Sequence, residues 1–204
     1  MPEILAWSII NACPDFTVFD YRRIQWVSPI ARNGFHEYRD DFLEALGLTE
    51  HQEELRRFWP SRGPVWDGLG VMKVENECCF LLEAKSYIQE MTSKTRATDP
   101  RSIKLIRESL GQVKGYMGAS QDTDWTKPYY QFCNRLALLY FLNIVIQKPS
   151  YLALVNFVDD STTGKPTSAD QWKSHYKVVL GHLGLTPKSE LFDRIVSVYP
   201  TARS

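Results

Sequence analysis

The clearest hydrophobic feature of the chain is a short unbroken apolar run, Cys78-Cys79-Phe80-Leu81-Leu82, which ends in Glu83-Ala84-Lys85. A run of this length predicts a strand buried on both faces, from Cys78 to Lys85. Side chains alternate along a strand, so Glu83 and Lys85 share one face and Ala84 takes the other. The segment Trp66 to Val74 predicts an antiparallel partner, reached through a reversal at Glu75-Asn76-Glu77. That pairing brings Asp67 towards Glu83 across the ladder. A second apolar run, Tyr151 to Val158, predicts another buried strand, and Leu191 to Tyr199 a last or edge strand.

Helical spacing fills most of the rest. From His36 to Trp59 the positions Tyr38, Phe42, Leu43, Leu46, Leu55, Phe58 and Trp59 recur at that spacing, and Gly47 splits them into two helices. Thr49, with Gln52 three residues on, has the pattern of a capping box for the second helix. Ile103, Ile106, Leu110, Val113 and Met117 predict a helix over 102–119, with Asp99 as N-cap and Pro100 at its first position. Tyr129 to Ile146 is expected to be the longest helix, and it is apolar enough to pack across a sheet. Its first turns differ, because Gln131, Asn134 and Arg135 place polar groups on one face. Ala169 to Leu183 reads as an amphipathic helix. The first 30 residues are less regular: 4–10 is apolar, Cys13-Pro14-Asp15 suggests a turn, and 16–19 a short strand. Trp7, Phe19 and Trp26 are expected to pack under the core.

Strands separated by long helices predict an α/β fold, a three-layer α/β/α arrangement around a central mixed sheet. A length of 204 residues suits a single domain, 1–204. That domain has an N-terminal helical region and a helical insertion after the Cys78–Lys85 strand. Twenty-four basic and 24 acidic residues leave no net charge, so any nucleic-acid contact must rest on a local basic face. Four cysteines without CxxC spacing suggest neither a zinc site nor a disulfide framework, and Cys78 and Cys79 read as small hydrophobes. No apolar run is long enough to span a bilayer, and the expected setting is cytoplasmic.

The chemistry concentrates where the two strands meet. Asp67 and Glu83 offer hard oxygen ligands of the kind Mg²⁺ or Mn²⁺ takes. Lys85 can orient a water as the ammonium or deprotonate one as the neutral amine, or stabilise charge developing on phosphate oxygens. An acid on one strand, a hairpin and Glu-x-Lys closing an apolar strand together resemble the PD-(D/E)xK nuclease superfamily, the restriction-endonuclease-like fold. The resemblance covers residues 55–158, and it departs in having Trp66 before the acid, with Pro64 close by. It implies an αβββαβ core. It implies that Asp67 and Glu83 bind Mg²⁺ (with Mn²⁺ able to substitute), that the Ala84 carbonyl joins the metal, and that Lys85 serves the attacking water. Gln131 and Arg135 are the helical residues expected beside the metal, and Arg135 suits a scissile phosphate through its planar fork. Glu44, Glu53 or Glu54 is open as a further acid.

The implied function is metal-dependent hydrolysis of phosphodiesters in a nucleic acid, DNA ahead of RNA, with a homodimer compatible with two-strand cutting. Lys94, Arg96, Arg101 and Lys104 form a basic cluster in and after a polar loop, open to phosphate contacts or to plain solvation. The alternative is a catalytically silent nuclease-fold protein serving as a binding or assembly module. In that case Asp67 caps a turn, and Glu83 and Lys85 form an ordinary ion pair. His175 and His182, seven apart and without an evident carboxylate partner, read as structural or surface residues.

Overall fold

In the computed structural model, which describes residues 2–13, 16, 20–73 and 77–202, the two apolar runs lie side by side. The first forms β3 (Cys78–Lys85) and the second β4 (Ser150–Asn156), paired in parallel with Glu83 opposite Leu154 and Lys85 opposite Asn156. β2 (Gly68–Met72) runs antiparallel to β3 from the Gly68–Leu82 pair, as expected, although its regular part is shorter than 66–74. Residues 75 and 76 of the expected reversal lie outside the described residues. β1 (Ile24–Ser28) pairs antiparallel with β2, and β5 (Ile195–Val198) in parallel with β4. The outcome is one five-stranded mixed sheet in the order β1-β2-β3-β4-β5, flanked by helices.

Alternation along the strands sorts the side chains into two cores. Cys78, Phe80 and Leu82 of β3 face α1 (Pro2–Ala12), against Ile9, Ile10 and Val196. Cys79 and Leu81 face the larger core under α2 (Phe42–Ala45), α3 (Gln52–Phe58), α4 (Pro100–Met117), α5 (Tyr130–Tyr140) and α6 (Ala169–His182). By the same period Glu83 and Lys85 point into the layer that holds α5. Burial pushes the Cys79 thiol up to about 11, which keeps it a neutral hydrophobe.

Several elements differ from the expectation. β1 was not expected: its five residues show an irregular burial pattern and a register shift between Trp26 and Ser28, so no clean alternation marks them. Trp7 does not pack under the core; it is 56% exposed. Of the strand expected at 16–19, residues 17–19 lie outside the described set. α2 is only one turn long, because Tyr38 bridges Trp66 across the sheet edge instead of joining a helix. Thr49 is not an N-cap; it begins a 3-10 turn, Thr49–His51, and α3 starts at Gln52 without a side-chain cap. α4, with 18 residues, is longer than α5, whose α-helical part stops at Tyr140 and passes into a π turn, Phe141–Val145. The capping of α4 follows the sequence: Asp99 accepts from the Ser102 N–H, and Gly118 closes the helix at φ 70°.

Gly68 is the position beside Asp67 that allows the strands to close. A Cβ there would lie 3.0 Å from Leu82 Cδ2 and 3.3 Å from the Ser28 carbonyl oxygen, wedged between two strands. Gly68→Val is therefore expected to destabilise the protein by about 1–3 kcal/mol through overpacking. Chemical denaturation checks it, and an unchanged midpoint would contradict the tight approach.

Candidate functional site

The β2–β3 ladder continues one step past its last regular pair. The Asp67 N–H donates to the Leu82 carbonyl at 3.2 Å, and the Asp67 carboxylate turns back to accept from the Ala84 N–H, Oδ2 at 2.7 Å. On the other edge of β3, the Phe157 N–H donates to the Lys85 carbonyl at 2.8 Å. The peptide groups of Lys85 thus point to β4, and those of Ala84 point to the Asp67 side. The Ala84 carbonyl lies beside the acid, where Lys85 Nζ approaches it at 3.2 Å.

Glu83 is 6% exposed and is held by two cations. Its Oε1 is paired with Lys85 Nζ, and its Oε2 with Arg135, whose Nε donates at 2.6 Å and whose Nη2 is also in ion-pair contact. Arg135 is 4% exposed and uses its whole fork. Nη1 donates to Asn134 Oδ1 at 2.9 Å, Nη2 to the Val65 carbonyl at 2.8 Å, and the guanidinium lies 4.8 Å from the Trp66 ring centre. One helical side chain therefore ties α5 to the end of β3 and to the segment that delivers Asp67. Removing either partner of such a buried pair leaves an uncompensated charge, a loss of about 3–5 kcal/mol.

The second tier is equally specific. Ser93 Oγ accepts from the Gln131 N–H at 2.8 Å, satisfying a backbone donor in the first turn of α5. Thr95 and Asn134 both lie within hydrogen-bonding reach of the Tyr130 hydroxyl. On β4, Asn156, in register with Lys85, accepts from the Tyr176 hydroxyl at 2.9 Å. Burial is the first cause raising the Tyr176 phenol, with the Glu83 charge acting in the same direction.

Asp67 differs from Glu83. Desolvation is the main cause raising its carboxyl above the ordinary value; the Glu83 charge adds to this, while the Ala84 N–H, Lys85 and Arg135 oppose it. The carboxylate is thus held where a further positive charge is welcome.

The other sequence candidates are more dispersed. Gln131 is half-buried on α5, and no hydrogen bond joins its side chain to Asp67, Glu83, Lys85 or Arg135. Glu44, Glu53 and Glu54 are all exposed; Glu53 pairs with Arg56 and Glu54 with His51. Glu90 accepts from the Ser86 N–H at 2.6 Å and caps the 3-10 turn Ile88–Met91. Lys94 and Arg96 stand outward on an extended strip whose alternate residues, Ser93, Thr95 and Ala97, turn inward. Backbone bonds fasten that strip to the approach to α5, with Thr95 N donating to Thr126 O at 3.0 Å. His175 and His182 lie edge-on to the Tyr129 ring. Sequence reasoning placed Asn134 on the polar face of α5 without its partner, and missed Asn156, Trp66 and Ser93 as supports. Asn156 carried a signal, a polar residue within an otherwise apolar run.

As ligands for a hard divalent cation, Asp67, Glu83 and the Ala84 carbonyl are of the right type, all oxygen, and they gather at one strand end. Among the described residues, no group of three or more His, Cys, Asp and Glu side chains is assembled for a metal, so such an ion would complete its shell with waters, as Mg²⁺ commonly does. No family model, curated protein or solved structure matches the chain.

The raised Asp67 carboxyl has a stability consequence. The folded state binds its proton more tightly than the unfolded chain. Stability from this group therefore falls as pH rises from the ordinary 3.8 through the raised value, and the penalty persists above it. Asp67→Asn keeps an acceptor for the Ala84 N–H and removes that charge. We expect a higher melting temperature for the variant at pH about 7, with the gain shrinking towards pH about 4. A variant less stable than wild type at neutral pH would contradict the desolvation account.

Proposed function

We propose that this protein is a metal-dependent phosphodiester hydrolase acting on a nucleic acid, DNA ahead of RNA. The observation that carries the reading is the convergence of Asp67, Glu83, Lys85 and Arg135 at the end of β3, on one face of the sheet. The element order supports it as well. With β1 counted, and with α2 and α3 set between β1 and β2, the chain runs helix, three antiparallel strands, helices and a parallel strand, followed by α6 and β5; apart from the α2–α3 insertion this follows the αβββαβ order of the superfamily that the Asp67…Glu83-Ala84-Lys85 pattern resembles.

Asp67, Glu83 and the Ala84 carbonyl would hold Mg²⁺ or Mn²⁺. The ion supplies Lewis acidity to the phosphoryl group and a lowered pKa to a bound water. The chain's own residues do the rest. Lys85 presents an ammonium next to that carbonyl, placed to orient the water or to stabilise charge on the phosphate oxygens. Arg135 offers a planar fork matched to a phosphodiester. The outward Lys94 and Arg96 supply backbone phosphate contacts that position a strand without reading its sequence. In open α/β sheets ligands bind beyond the carboxyl ends of the strands, and the carboxyl ends of β3 and β4 are where these groups lie.

One observation favours a second reading, a silent assembly module of the same fold: both Glu83 oxygens are already paired with cations. Activity separates the two. The nuclease reading predicts Mg²⁺- or Mn²⁺-dependent cutting of supercoiled, linear or single-stranded DNA, or of RNA. Lys85→Ala should slow it about 10²-fold or more, and Asp67→Asn should abolish it although that variant stays folded. No cutting of any of these substrates by the wild type would leave the assembly reading.

A further inference from the structure

A cation approaching Glu83 finds both oxygens taken. Lys85, from the same strand, pairs with Oε1; Arg135, from α5, pairs with Oε2 through Nε and Nη2. Asp67, less than a turn of chain from Trp66 and Val65, keeps one carboxylate oxygen beyond its bond to Ala84. Of the two cations on Glu83, Arg135 is the one built to accept a different anion. Its flat fork matches phosphate as well as carboxylate, and its remaining donors rest on neutral acceptors, Asn134 Oδ1 and the Val65 carbonyl. Two positive charges brought to one buried carboxylate repel each other. A divalent ion and the Arg135 guanidinium therefore compete for Glu83.

Exposed cations stand on the strip 93–97, which is bonded to the start of α5. The strip bearing Lys94 and Arg96 turns Ser93 onto the Gln131 N–H and Thr95 towards Tyr130, within the turn of α5 that leads to Asn134 and Arg135. A nucleic-acid strand held on the outward lysine and arginine would run beside the first turn of α5, the helix that carries Arg135.

We propose that Arg135 is a resident counter-cation that keeps Glu83 closed to metal, and that a phosphodiester draws its guanidinium off Oε2 and so opens the cation site. The proposal rests on the nuclease reading and adds to it an order: nucleic acid and divalent cation bind cooperatively, through exchange of partners at one arginine. Coupling is reciprocal, so each ligand raises the affinity of the other by the same factor.

Mn²⁺ binding to the full chain, read by electron paramagnetic resonance, tests this without reference to turnover. Titrations would use wild type, Arg135→Gln and Asp67→Asn, alone and with two probes in separate runs, a phosphorothioate duplex DNA and a phosphorothioate single-stranded RNA. The proposal expects weak Mn²⁺ binding to wild type alone and binding tighter by about 5- to 150-fold with at least one probe. Arg135→Gln should bind tightly without either probe and gain little from them, and Asp67→Asn should bind under no condition. Wild type that already binds Mn²⁺ as tightly as Arg135→Gln, unaffected by both probes, would overturn the counter-cation proposal and leave the nuclease reading standing. No Asp67-dependent Mn²⁺ binding in any sample would overturn both. Should Arg135→Gln fail to fold, the wild-type titrations decide alone: an affinity unchanged by both nucleic acids overturns the proposal.

Discussion

The carboxylate of Glu83 is buried near the end of β3, and its burial constrains everything around it. A charge in that position requires cationic partners, and they come from two directions: Lys85, two residues on along β3, and Arg135, 52 residues later on α5. Satisfying Glu83 sets the rotation of α5, because the Arg135 fork must also reach Asn134 and the Val65 carbonyl. Holding Val65 in turn sets the entry into β2, where Trp66 packs under the guanidinium and Asp67 turns to the Ala84 N–H. Three elements far apart in the chain are thus indexed to one another through a single side chain.

Stability alone does not explain such a cluster. Exchanging a buried ion pair for well-packed apolar residues is often neutral or stabilising, and an Asp67 carboxyl raised by desolvation is a further cost. Structures tolerate these costs most readily where chemistry needs the charge. Elsewhere among the described residues, Asp20, Asp99 and Asp160 are lowered by local hydrogen bonds at turns and caps, the exposed pairs on α3 and α4 lie in solvent, and the buried Lys114 ammonium, lowered by desolvation, rests on the Gln121 and Thr123 carbonyls. With no net charge over the chain, attraction for a polyanion has to be local. The outward pair Lys94 and Arg96 would supply it on the proposed reading, on a strip bonded to the start of the helix that carries Arg135.

Much of this was legible because it is local. The bounds of β3 follow from an apolar run with a charged end, and the α4 cap from Asp99-Pro100. The approach of Asp67 to the Glu83 end of β3 follows from antiparallel pairing, although the bond its carboxylate makes is to the Ala84 N–H. The missing parts have physical reasons. β1 escapes because a register shift breaks its alternation. Trp7 was expected inside, yet it occupies the outer face of a helix whose inner face is filled by Ala6, Ile9 and Ile10. Thr49 has the sequence of a cap, but the chain enters α3 through a 3-10 turn that leaves it no helix end to bond. The Arg135–Glu83 pair was beyond sequence reasoning in its particulars. A polar face on α5 can be read from spacing, but which anion it meets depends on how α5 lies across the sheet.

Whether Glu83 shares a cation with Asp67 and the Ala84 carbonyl is decided by a crystal structure of the protein grown with Mn²⁺ and an uncleavable oligonucleotide, read by anomalous scattering. The expected result is a Mn²⁺ peak within coordination distance of Asp67 and Glu83, with the Arg135 guanidinium turned from Oε2 to a phosphate. Density showing Glu83 still clasped by Lys85 and Arg135 while a strand is bound over Lys94 and Arg96, with no metal between the two acids, would contradict it.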